Sequence, residues 1–173
     1  LELMLSKKKG RFTGWVSYTL SRTTMQVPGF IAGDYTDVAN GINGGQPYAT
    51  NWDKTHDLSI VGMFTLTDTW KLSGNFIFMT GRPATYPNGR YLWDGKFIPD
   101  YRTRNAARIP TTHRLDISAT YTPSRQGKKW KSSFAFGVYN VYGRKNPYSV
   151  YFQQSAENPV LTEAKQLSII GIP

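Results

Sequence analysis

Residues 56–80 read HDLSIVGMFTLTDTWKLSGNFIFMT and decide the fold class. In 56–67, Leu58, Ile60, Phe64 and Leu66 oppose Asp57, Ser59, Thr65 and Thr67; in 70–80, Trp70, Leu72, Phe76 and Phe78 oppose Lys71, Ser73 and Asn75. A period of two sends apolar side chains to one side of an extended chain and polar ones to the other, so both segments are expected to be strands. The interval Thr67 to Thr69 leaves room only for a turn, which makes the two a hairpin.

The pattern recurs on both sides of this pair. Phe12, Gly14, Val16, Tyr18 and Leu20 oppose Arg11, Thr13, Trp15, Ser17, Thr19 and Ser21; Leu115, Ile117, Ala119 and Tyr121 oppose Arg114, Asp116, Ser118, Thr120 and Thr122. Trp130, Phe134, Phe136 and Val138 share a face in 130–139, with Lys131, Ser133, Ala135 and Gly137 on the other. Leu1, Leu3 and Leu5 against Glu2 and Ser6 suggest one partial strand, and Lys165 to Ile172 another. With no helical period anywhere, an all-β chain of about seven strands is expected.

The connections alternate in length. Lys8 to Gly10, Thr67 to Thr69 and Pro123 to Lys129 are turns, whereas Arg22 to Asp53 and Gly81 to Thr111 are each about 30 residues, rich in Gly, Pro, Asn, Asp and aromatics and without clear periodicity. Structureless loops beyond about 15 residues are uncommon in compact soluble domains. An outer-membrane β-barrel has this alternation, and a tilted strand of about 9–11 residues crosses its bilayer. Aromatic residues near strand ends (Phe12, Tyr18, Trp70, Tyr121, Trp130) fit interfacial girdles, and the Ser, Thr and Asn of the other face fit a wet or plugged lumen.

Composition narrows the rest. The 173 residues allow one domain; the absence of Cys excludes a disulfide scaffold and a thiolate zinc site. Apolar runs such as Phe76 to Met79 are far short of the about 20 residues a membrane helix needs. With 21 Lys plus Arg against 11 Asp plus Glu, the net charge of +10 suggests an anionic partner, without choosing among nucleic acid, lipid headgroups and acidic solutes. Residues 1–10 lack the features of a signal peptide and already alternate as a strand, so the chain is expected to begin inside a larger protein.

Several stretches, in this order and spacing, carry a family resemblance. They are Gly14-Trp15-Val16-Ser17-Tyr18-Thr19-Leu20-Ser21-Arg22; His56-Asp57-Leu58-Ser59 with Leu72-Ser73-Gly74-Asn75-Phe76 and Thr80-Gly81-Arg82-Pro83; His113-Arg114-Leu115-Asp116-Ile117-Ser118; and Val138-Tyr139-Asn140-Val141-Tyr142-Gly143-Arg144-Lys145-Asn146-Pro147-Tyr148. Together they resemble the C-terminal barrel strands of TonB-dependent outer-membrane receptors of Bacteroidetes type. The resemblance implies a transmembrane antiparallel β-barrel in which residues 1–173 are about the last seven strands of a 22-stranded type, with short periplasmic turns and long extracellular loops. Asn140 to Tyr148 would bend the penultimate strand and Lys165 onward would open the last. It implies import of a nutrient (glycan, peptide or metal chelate) at the outer membrane of a Gram-negative cell, with TonB engaged through an N-terminal region outside this sequence. Its implied partners are outer-membrane lipid and lipopolysaccharide, with a surface lipoprotein lid or other chains left open. The plug, the TonB box and the first two thirds of a barrel are lacking, and Gly171-Ile172-Pro173 replaces the usual terminal aromatic. A fragment cut at both ends is therefore expected, with a complete eight-stranded barrel as the competing reading.

His56 and His113 each begin a strand after a long loop with an Asp within three residues, Asp57 and Asp116. Such groups suit a metal site or acid–base pair, the basis of an alternative reading as a barrel enzyme with rim His and Asp. On strands separated by a third, their rings would lie about 10 Å apart at best, so a structural role is expected. No nucleophile elbow, phosphate loop or metal cluster is present in the sequence, and the expectation is of no catalytic residues, no metal, no cofactor and no enzyme.

Lys7, Lys8, Lys9, Arg11, Lys71, Arg125, Lys128, Lys129 and Lys131 gather at the short-turn end. A soluble β-rich module binding nucleic acid or glycan is the other alternative, but basic turns suit lipid headgroups better than they suit nucleic acid, so Lys7, Lys8, Lys9, Lys128 and Lys129 are expected at headgroups. In the loops, Tyr91, Trp93, Arg102, Arg104, Arg108 and Trp52 are the substrate-binding candidates, since aromatics with Arg stack on and hydrogen-bond to a solute. Asp34, Tyr35 and Asp37 of the first loop are less informative.

Overall fold

The computed structural model describes residues 1–29, 41–124, 130, 132–158 and 161–169. Its strands are β1 (Glu2–Lys7), β2 (Phe12–Leu20), β3 (Thr24–Met25), β4 (Tyr48–Ala49), β5 (His56–Thr65), β6 (Trp70–Met79) and β7 (Pro83–Ala84), then β8 (Gly89–Trp93), β9 (Lys96–Asp100), β10 (Ala107–Arg108), β11 (Thr112–Tyr121), β12 (Phe134–Val138), β13 (Asn146–Gln154) and β14 (Thr162–Ile169). The described residues contain no helix, and the pairings are antiparallel, so the chain is all-β. It divides into two compact units: residues 1–20, 56–80 and 111–173, and residues 21–55 and 81–110.

In the first unit, six strands form one sheet in the order β1-β2-β5-β6-β11-β12. All long connections leave from one end and all short ones from the other. The register keeps one set of side chains in line across the sheet. Leu5 stands opposite Val16, Val16 opposite Ile60, Ile60 opposite Phe76 and Phe76 opposite Leu115. A second row runs Phe12, Phe64, Leu72, Ala119 and Phe136. Residues directly opposite in an antiparallel ladder share a face, so these rows make one apolar face. The other face carries Ser17, Ser59, Ser73, Asn75, Asp116, Ser118 and Thr120, but also Trp15, Val61, Met63, Ile77 and Met79, and is more mixed than the sequence pattern suggests.

No residue of these six strands is buried. Leu5 is 76% exposed, Phe136 64% and Phe12 52%. The buried hydrophobic residues of the described chain, Tyr48 and Ile109, both belong to the other unit. The sheet is therefore a single layer whose apolar face no described residue of its own unit covers.

Two differences from the sequence expectation concern the sheet's end. Of the expected 130–139 strand, Phe134–Val138 form β12, whose outer side, with that of β1, forms an edge of the sheet. From Lys165 onward the chain is an edge strand, as part of β14, but of a separate two-stranded sheet with β13, with a register shift between Pro147 and Ser149. The cause is a knot at Asn140. This fully buried side chain has φ 54°, donates to the Arg144 carbonyl at 3.0 Å and accepts from the Arg144 amide at 3.2 Å, while its own amide donates to Asp116 Oδ1 at 2.9 Å. With Gly143 at φ 61°, the chain turns out of the ladder and resumes at Asn146, whose side chain accepts from the His113 amide. The bend expected over Asn140 to Tyr148 is thus built from an asparagine clasp.

The loop regions also hold structure that periodicity does not reveal. β8 and β9 form a hairpin, with Asp94 at φ 46° and Gly95 at φ 71° between them. Two consecutive positive φ values match the tight turn that Asp-Gly favours.

Candidate functional site

Both long connections fold into the second unit, which contains all six substrate-binding candidates. Two short ladders tie each connection to itself: β3 to β4, with Met25 opposite Tyr48, and β7 to β10, with Pro83 opposite Arg108. Gly81 is obligatory beside the second ladder, because a Cβ there would stand 1.6 Å from the Ile109 carbonyl oxygen.

Asp53 joins the two connections. Its side chain has no exposed surface. Oδ1 accepts from the Thr23 amide at 2.5 Å and Oδ2 from Arg108 Nη2, while Arg108 Nη1 donates to the Asp53 carbonyl at 3.3 Å and the Gly81 carbonyl at 3.1 Å. Burial pushes the Asp53 carboxyl up, but the Arg108 and Thr23 hydrogen bonds and the charges of Arg108 and Arg22 outweigh it, and the acid lies below its usual value. Tyr86 lies above its usual value because of burial.

Asn105 is a second tie, with φ 56°. Its Nδ2 donates to the Ala49 carbonyl at 2.7 Å and to Asn51 Oδ1 at 2.8 Å, and its amide donates to Thr85 Oγ1 at 3.0 Å. Asn43 clasps the backbone of Arg104 from both sides, accepting its N–H at 2.7 Å and donating to its carbonyl at 3.0 Å.

These ties sort the candidates. Arg108 is committed to the interior of its own unit. The Arg104 guanidinium lies 5.7 Å from the centroid of the Tyr48 ring. Arg102 is paired with Asp100 at 2.7 Å, and its amide donates to Asn88 Oδ1. Tyr91 and Trp93 share one face of the β8–β9 hairpin, opposite Ile98 and Lys96, and are 53% and 70% exposed. Trp52 is exposed in the turn before Asp53. The six are not one cluster: only Tyr91 and Trp93 form a joint platform, flanked in the ladder by Lys96 and beyond it by the Asp100–Arg102 pair. Sequence reasoning passed over Asp53 and Asn105, and only Asp94-Gly95 carried a local signal, for the hairpin. Asp34, Tyr35 and Asp37 lie outside the described residues.

In the sheet unit, His56 Nδ1 and the Tyr18 hydroxyl are 2.8 Å apart, as are His113 Nδ1 and the Tyr142 hydroxyl. Each imidazole is engaged by a tyrosine, and β6 stands between the two histidine strands. The described residues contain no group of three or more His, Cys, Asp or Glu placed to hold a metal ion.

At the sheet's other end the Trp70 and Tyr121 rings pack tilted to each other with centroids 4.9 Å apart, and the Arg11 guanidinium lies 5.5 Å from the Phe64 centroid. Aromatic and imidazole rings thus line both ends of the apolar face: Tyr18, His56, Phe78, His113 and Tyr142 at one, Phe12, Phe64, Trp70, Tyr121 and Phe134 at the other. Lys7, Lys8 and Lys9 are exposed at the second end, and Lys7 stands on the apolar face opposite Gly14. Arg125, Lys128, Lys129 and Lys131 lie outside the described residues. Comparison with protein-family models, curated proteins and solved structures gives no match.

Proposed function

We propose that this chain is a stretch of an outer-membrane β-barrel receptor of the TonB-dependent kind, which takes up a nutrient past a plug outside this sequence. The observation that carries the reading is the exposed apolar face running unbroken across six antiparallel strands. In water such a face is a liability; in a bilayer it is the surface that lipid covers. Strand length supports this. Ten residues, as in β5, β6 and β11, extend about 34 Å, and tilted about 45° they rise about 24 Å, close to the about 25 Å apolar band of such barrels.

The two belts of rings support it further. His113 and Tyr121 stand eight residues apart on β11, about 27 Å along the strand and about 19 Å across the bilayer at the same tilt, so one belt lies toward each interface. The open edges of β1 and β12 would be completed by further barrel strands, because unpaired backbone groups are not tolerated in hydrocarbon. Assignment to the TonB-dependent type rests on the sequence stretches quoted above. The ordered loop unit, with Tyr91 and Trp93 presented on its hairpin, is the part that would meet the solute on the outer surface. A glycan, a peptide and a metal chelate all fit an aromatic platform with flanking charges.

Residues 1–173 contain no cysteine, so within this stretch each introduced one reports a single site. Labels at Leu58, Ile60, Phe76, Phe78, Ile117 and Phe134 should contact lipid in the membrane-inserted protein, and labels at Ser59, Asn75, Asp116 and Ser133 should contact water. Equal burial of both sets would make the chain a soluble sandwich and end the proposal.

A further inference from the structure

The apolar face is not flat. Toward the short-turn end it holds a groove walled by Phe12, Phe64 and Leu72, continuing to Ile60 and Phe76 at mid-sheet, with Gly62 and Gly74 as its floor. The two glycines are direct partners in the β5–β6 ladder. Gly14, next in the row, is required by close packing, since a Cβ there would stand 2.1 Å from the Val61 carbonyl oxygen. Gly74 has no such reason: the nearest atom to a Cβ would be 3.9 Å away, in ordinary contact. Glycine weakens a strand interior, and here it keeps a hollow open where its neighbours carry large side chains. From Phe64 to Ile60 the groove runs four residues, about 14 Å along the strand.

The groove's mouth is cationic. The Arg11 side chain donates to the Thr65 carbonyl at 3.3 Å and the Leu66 carbonyl at 2.9 Å, which holds its guanidinium beside the Phe64 ring. Two of its five N–H donors are used this way, and the others suit a phosphate. Lys7 begins the same turn, on the same face as the groove. The slot ends beside Arg11, with Lys7 on the same face and level with Gly62, which matches a lipid tail ending in an anionic headgroup.

We infer that this groove holds one acyl chain of an anionic phospholipid whose phosphate is met by Arg11 and Lys7. The inference rests on the membrane-barrel reading and adds to it a specific lipid site. The test uses the full-length protein, delipidated in detergent and mixed with either dioleoylphosphatidylglycerol or dioleoylphosphatidylcholine, with retained lipid counted by native mass spectrometry. The wild type should keep one phosphatidylglycerol with at least fivefold preference over phosphatidylcholine. Gly74→Leu, which fills the groove without backbone strain, should lower retention of that lipid at least fivefold. Lys7→Gln with Arg11→Gln, which leaves the groove itself intact, should abolish the preference. Equal retention of the two lipids by the wild type, or unchanged retention in Gly74→Leu, would overturn the site. If the protein inserts into vesicles yet shows no such lipid, the site alone fails; if it does not insert, the barrel reading fails with it.

Discussion

Arg108 reaches across 55 residues of chain to the carboxylate of Asp53, which is wholly removed from solvent. This pair ties together two connections that have no periodicity of their own. Breaking a buried pair leaves an uncompensated charge, whereas losing an exposed pair costs little. With Arg108 about one third exposed (34%), the penalty falls on Asp53.

Arg108→Met should therefore destabilise the loop unit by about 3 kcal/mol, read as increased hydrogen exchange in residues 21–29 and 81–110, while β5, β6 and β11 keep their protection. Because the folded Asp53 acid is depressed below its ordinary value of 3.8, its contribution is present above about pH 4 and is lost as the pH falls through the lower folded value. Asp53→Asn should remove that acid-induced loss, and an unchanged acid transition in this variant would show that Asp53 does not govern it.

Gly81→Ala sets a methyl group against the Ile109 carbonyl and should open the β7–β10 ladder at a cost of about 3 kcal/mol. Gly89→Ala, with nothing within 4 Å of the new methyl, should be neutral or slightly stabilising. Equal thermal shifts for the two would contradict the packing described for Gly81.

Ser59 and Ile60 are adjacent in β5 and point to opposite faces. In lipid, Ile60→Arg should cost about 2–4 kcal/mol of folding stability while Ser59→Arg stays near neutral. Denaturant titration of the protein refolded into vesicles measures both, and similar costs would remove the assignment of faces.

Replacing His56 and His113 together should cost the contacts with Tyr18 and Tyr142 and the ring contact of His113 with Phe76, without loss of any hydrolytic or metal-dependent activity. Elemental analysis of the detergent-purified protein should find no stoichiometric transition metal. Zinc that disappears with the histidines would instead favour a barrel enzyme.

The 173 residues expressed alone in buffer should aggregate, since Leu5, Phe12 and Phe136 stay exposed and β1 and β12 present open edges. A monodisperse monomer without detergent, unfolding cooperatively, would count against both the barrel and the need for neighbouring strands.

The sequence by itself determined the long strands β2, β5, β6 and β11 and their apolar faces, but not β13 or the short strands of the long connections. The period of two in 11–21, 56–67, 70–80 and 113–122 reflects the geometry of an extended chain, and turns as short as Thr67 to Thr69 leave only antiparallel pairing. Asp94-Gly95 carries a local turn signal, but Pro99 in the second strand and the surrounding loop composition hide the hairpin it closes, and 81–111 reads as an aperiodic loop. What only the tertiary structure decided depends on residues distant in sequence. Asp53 meets Arg108, Asn105 meets Asn51, and Tyr18 meets His56 because chain folding brings them together, and no local pattern encodes such pairs. The same holds for Asn140, whose side chain replaces a ladder partner and splits β12 from β13. A strand's alternation follows from its own backbone, but a clasp between aperiodic segments exists only once both have been placed.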